Sequence, residues 1–67
     1  MPSRLRMKRV EKGLTQYELE RKTGIKQARL SLIENGFRAP KRSEQKTLAE
    51  VLDCTVEEIA SPDWEAR

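Results

Sequence analysis

Of the side chains that carry most protein chemistry, this 67-residue sequence has no histidine, one cysteine, and 14 Lys/Arg against 11 Asp/Glu. Without imidazole, the commonest acid–base group and the commonest metal ligand are both missing. Cys54 alone closes no internal disulfide and suits a reducing compartment, and one thiol without histidine builds no ordinary zinc cage. No metal or other cofactor is expected. What remains is charge, and it is unevenly placed. Residues 1–46 hold 13 of the 14 Lys/Arg and carry a net +8. Residues 47–67 carry −5, from Glu50, Asp53, Glu57, Glu58, Asp63 and Glu65 against Arg67. Mixed charges solvate any small protein, but this separation suits a basic face for a polyanion, kept apart from an acidic end. A membrane surface would attract the same basic stretch. No helix pairs it with a broad Leu/Phe/Trp face, which argues against a membrane partner.

Length limits the alternatives further. A chain of 67 residues, 36% apolar and 37% charged, is near the lower limit for folding without staples. It forms one small core and leaves no room for a second domain, a catalytic cleft or a small-molecule pocket. Its uninterrupted apolar runs reach two or three residues, where a membrane span needs about 20. Arg4, Arg6, Lys8 and Arg9 look like the start of a secretion signal, but no apolar stretch follows them. The expectation is a cytoplasmic binding module, not an enzyme.

The elements that would position a binding face are all helical. Val, Ile and Thr are scattered without alternation, so strands are not expected. Helix 1 runs from about Ser3, an N-cap after Pro2, to Lys12, with Gly13 as its stop. Helix 2 opens on the Thr15/Glu18 capping box, with Leu14 and Leu19 as a hydrophobic staple, and closes before Gly24. Helix 3 runs from Lys26 or Gln27 to Asn35, turns Leu30 and Ile33 inward and ends at Gly36. A loop over residues 36–43 contains Pro40. Helix 4, capped by Ser43, buries Leu48, Val51 and Leu52 and ends near Asp53. A Thr55/Glu58 box opens a short helix 5 through Ala60, with Val56 and Ile59 facing in and Pro62 stopping it. The reading is one all-α domain of five short helices over residues 1–67, with its core at about 3–60 and a tail at 61–67.

Two of these helices, joined by Thr23-Gly24-Ile25, have the layout of a helix-turn-helix, with Gly24 supplying the positive φ of the turn. The ordered set Gly13-Leu14-Thr15-Gln16, Glu18-Leu19, Gly24-Ile25 and Leu30-Ser31-Leu32-Ile33-Glu34-Asn35-Gly36 resembles the phage repressor/Cro-type (XRE) helix-turn-helix family. The likeness continues through Pro40, Leu48-Ala49 and the Val56–Ile59 helix, covering roughly residues 3–60. It implies a lambda-repressor-like fold in which helix 3 lies in the DNA major groove while helix 2 crosses the backbone. It also implies a sequence-specific transcriptional regulator, a repressor above all, that binds a palindromic operator as a homodimer.

Carried over position by position, the resemblance assigns roles. Gln16, at the positive end of the helix 2 dipole, matches the glutamine that bonds a phosphate. Gln27 falls where the first base-reading side chain sits, and a Gln amide grips adenine N6 and N7. Ala28 suits a thymine methyl. Leu32, one turn on, is either an ordinary exposed leucine or an apolar contact in the groove. Lys26 and Arg29 reach phosphates or guanine. Arg38, Lys41, Arg42 and Lys46 follow helix 3, where the family contacts backbone phosphates. Arg9 and Glu34 match an ion pair that ties helix 1 to helix 3. The acidic, apolar-dotted end with Val56, Ile59 and Trp64 is expected to meet a second copy, since phosphate would repel it.

Three positions depart from the pattern. Glu20 replaces a small residue, so the helices splay or Glu20 turns out toward a base such as Lys26. Thr23 and Gln45 replace apolar residues and trim the core unless Phe37 or Trp64 fills in. Trp64 matches no family tryptophan and either folds back over helix 5 or anchors a dimer. The rival function is an antitoxin-like protein-interaction module on the same fold.

Overall fold

Helices 1, 2 and 5 each start at a residue whose hydroxyl accepts one of their first amides. In the computed structural model, which describes residues 3–64, Ser3 Oγ accepts the Arg6 amide at 3.1 Å and opens α1 (Arg4–Glu11). Pro2, and Glu65 and Arg67 of the expected tail, lie outside the described residues. Thr15 Oγ1 accepts from the Glu18 amide at 3.0 Å, and the Glu18 carboxylate accepts from Thr15 N–H at 2.9 Å, opening α2 (Gln16–Thr23). The same box at Thr55 and Glu58 opens α5 (Val56–Ile59). Between them lie α3 (Gln27–Glu34) and α4 (Arg42–Val51). Among the described residues there is no strand, and no helix is long and apolar enough to cross a membrane.

Helix α4 begins earlier than its sequence suggests. Lys41, not Ser43, occupies the cap position, because the Glu44 carboxylate reaches back to Lys41 N–H at 2.7 Å. Ser43 is thus inside the helix, where its carbonyl accepts from Thr47 Oγ1 at 3.0 Å. The turn between α2 and α3 is closed by two devices. Gly24, at φ +80°, donates its N–H to Glu20 O at 2.7 Å, and a Cβ there would meet nothing within 4 Å, so the constraint is the backbone angle itself. Thr23 Oγ1 donates to Leu19 O at 2.7 Å and accepts from Ile25 N–H at 3.1 Å. Where an apolar residue was expected, a hydroxyl satisfies two backbone groups of the turn instead.

The core takes Leu5 from α1, Leu19 from α2, Ile25 from the turn, Leu30 and Ile33 from α3, Leu48 and Ala49 from α4, and Ile59 from α5, with Leu52 just beyond α4. Val51 and Val56, expected inside, are half-buried and pack against its edge. The larger correction is at the end of the chain. Residues Pro62–Trp64 form a 3-10 turn rather than free tail, and Trp64 is only 4% exposed, so the core extends to 64. Phe37, the other candidate filler, is 72% exposed and contributes nothing to the core. The two aromatics therefore make opposite predictions. Trp64→Ala should cost roughly 3–5 kcal/mol in urea unfolding, a large part of the stability of so small a domain. Phe37→Ala should stay within about 0.5 kcal/mol of wild type. Equal effects would contradict this core.

Candidate nucleic-acid interface

The interface is built outward from a buried charge pair. Arg9, in the last turn of α1, donates from Nε to Glu34 Oε2 at 2.7 Å and from Nη2 to Glu34 Oε1 at 3.0 Å. Both residues are buried, and the geometry is bidentate. A third guanidinium contact, Nη1 to Leu14 O at 2.7 Å, ties the loop before α2 into the same cluster. One arginine thus joins α1, the approach to α2 and the end of α3.

Glu34 passes this order to the surface. Its Oε1 also accepts from Gln16 Nε2 at 3.1 Å, and Gln16 Oε1 accepts from Gln27 Nε2 at 2.7 Å. Gln16 is at the first position of α2 and Gln27 at the first position of α3, both half-buried. With one N–H committed to Gln16, Gln27 keeps its second N–H and its carbonyl oxygen. That remaining donor and acceptor are what an adenine edge pairs with. Gln16 itself has one amide hydrogen left for a phosphate. The start of α2 is a capped helix end whose dipole is offset by Glu18, so Gln16 presents hydrogen bonding more than positive charge.

Two acidic residues act in ways that spacing did not reveal. Glu20 turns toward the start of α3 rather than to the Lys26 side chain: its Oε1 accepts from Gln27 N–H at 2.9 Å. Arg29, expected at phosphate or guanine, is engaged by Glu44 instead, with Nε–Oε2 and Nη2–Oε1 both at 2.8 Å. The pair fastens the first turn of α3 to the first turn of α4. Neither contact follows a local pattern. Glu20 signalled itself only as a departure, and the Lys41/Glu44 box lacks the Ser or Thr that marks such a cap.

Around the Gln27 end, Lys26 at the cap position and Ala28 and Leu32 on α3 are exposed, as are Arg38, Lys41, Arg42 and Lys46 on the following loop and α4. Tyr17, one residue beyond Gln16, is 70% exposed. The expected copy-to-copy contact needs correction. Ile59 is fully buried and Trp64 nearly so, both spent on the chain's own core, which leaves half-buried Val56 as the accessible member of the set.

The Arg29–Glu44 pair makes the fold sensitive to acid. Bonded to Arg29, and more weakly to the Lys41 amide, the Glu44 carboxyl titrates below its ordinary 4.5. The unfolded chain then takes up the proton first, so the contribution is complete above the unfolded value and lost as pH falls through the native one. Glu18 and Glu58, lowered chiefly by the backbone amides they cap, act in the same direction. Melting temperature should therefore fall below about pH 4.5, and Glu44→Gln should make the fall shallower. A Glu44→Gln variant with the wild-type pH profile would contradict this account.

A family model described as helix-turn-helix matches residues 5–59, most of the chain, from the core leucine of α1 to the core isoleucine of α5. Comparisons with curated proteins and with solved structures return no match. The match takes in both partners of the ion pair, both glutamines and the turn at Gly24 in one stretch. With a helix-turn-helix at α2–α3 in an all-helical fold, the chain belongs to the phage repressor/Cro-type helix-turn-helix family of DNA-binding regulators.

Proposed function

We propose that the protein is a sequence-specific repressor that inserts the first turn of α3 into the major groove of a two-fold symmetric operator. The observation that carries this reading is the 2.7 Å amide contact between Gln27 and Gln16, which leaves the rest of the Gln27 amide as a paired donor and acceptor. In this reading Gln27 takes an adenine, the Ala28 methyl takes a thymine methyl, and Leu32 adds apolar contact one turn on. Lys26 reaches the backbone at the start of α3. Arg38, Lys41, Arg42 and Lys46 neutralise phosphates and set register without specifying sequence.

Size supports action in pairs. The described chain spans 28 × 25 × 22 Å, less than the roughly 34 Å that separates successive major-groove faces. One copy reads one half-site, and two are needed for specificity and affinity together. With Ile59 and Trp64 in the core, the copies meet through half-buried Val56 and exposed Glu57 beside it, which line one shallow groove.

Positioning and reading separate experimentally. On an operator selected from random duplexes, Gln27→Ala should cost roughly 1–3 kcal/mol while leaving non-specific binding nearly unchanged. Arg42→Ala should weaken both and reduce the salt slope by about one unit. Binding should be cooperative on half-sites centred about 10 base pairs apart and non-cooperative on one half-site. Unchanged sequence preference in Gln27→Ala would remove α3 from the groove, and full-strength non-cooperative binding to a half-site would leave a monomeric reader.

A further inference from the structure

Glu20 puts a long acidic side chain between two helices where a small residue was expected. Its Oε1 accepts the N–H of Gln27, the first residue of α3 and seven positions along the chain. Helix α3 has no cap of its own, because Lys26 at the cap position makes no side-chain bond. One of the amides a helix leaves open at its start is thus satisfied from the neighbouring helix, and the carboxylate stands at the positive end of the α3 dipole. Gln27 is consequently held twice from α2, by its backbone to Glu20 and by its side-chain amide to Gln16. A side chain held at both root and tip has little freedom to swing.

We infer that Glu20 is a positioning residue for base recognition, clamping the first turn of α3 so that the Gln27 amide meets a base edge in one geometry. The inference rests on the reading of Gln27 given above. Glu20 itself touches no DNA. A carboxylate acting only by its charge would repel phosphate, and its removal would then tighten binding to every sequence alike. A clamp acts differently, because its removal degrades the distinction between sequences.

The test compares wild type with Gln27→Ala, Glu20→Ala, Glu20→Met and Glu20→Gln. Each is measured on the selected operator, on operators with single base pairs exchanged and on random duplex, with thermal melts alongside. At the base pair where Gln27→Ala flattens the preference, Glu20→Ala and Glu20→Met should reduce it roughly five- to tenfold, with no loss of affinity for random duplex. Glu20→Gln, which keeps an acceptor oxygen, should retain the preference within about threefold. Glu20→Met keeps the length and stem of the side chain, so it reports even if the alanine variant loosens α2. If Gln27→Ala flattens no position, the reading of Gln27 fails and the clamp falls with it. If Gln27→Ala flattens one position while Glu20→Ala and Glu20→Met melt lower but keep wild-type preference there, Glu20 is only a helix cap and the inference is overturned.

Discussion

Two charges taken out of water are stabilised only by each other and by the few hydrogen bonds around them, so their positions are tightly constrained. Arg9 and Glu34 are such a pair, and the organisation of this small molecule follows from where they sit. Arg9 uses Nε, Nη1 and Nη2 to fix Glu34 and the Leu14 carbonyl, and Glu34 answers by fixing Gln16. Loss of either charge strands the other in the interior. The pair is therefore better understood as a device for relative placement of α1, α2 and α3 than as a net source of stability.

From that root a short relay runs to the surface, through Gln16 to Gln27, and it is closed on the other side by Glu20. Every link is a hydrogen bond between side chains or to a backbone amide, at 2.7–3.1 Å. A second, independent fastening joins Arg29 to Glu44 and holds the third residue of the same helix to α4. Helix α3 is thus tied at its first, third and last residues. Its eight residues could not hold a fixed orientation by intrinsic helicity, since isolated helices of that length are marginal in water. The ties substitute for length.

What the sequence made legible is what depends on local chemistry. Ser3, Thr15, Thr55 and Gly24 act within four residues of themselves, and the caps and the turn they build are readable from spacing alone. The family likeness extended this to the long-range Arg9–Glu34 pair, because a pattern of positions carries information that single residues do not. Contacts between distant residues with no such pattern stayed hidden. Arg29 and Glu44 are 15 positions apart and each is an unremarkable charge in its own helix. Trp64, by contrast, reads from the sequence as either folding back over helix 5 or anchoring a dimer, and a 3-10 turn from Pro62 brings it in to complete a core that five short helices leave unfinished. Its burial also withdraws it, with Ile59, from any surface contact.

The Arg9–Glu34 pair holds α3 at its last residue and, through Gln16, the side chain of its first residue, Gln27, which we propose meets a base edge. Nuclear magnetic resonance of the nitrogen-labelled protein, titrated with its selected operator duplex, tests this claim directly. The side-chain amides of Gln16 and Gln27 and the backbone amide of Ala28 should shift most, while the Arg9 Nε–H resonance stays in place and slow to exchange. Perturbations confined to α5 and the acidic end, or an Arg9 resonance lost on binding while Gln27 is unmoved, would contradict it.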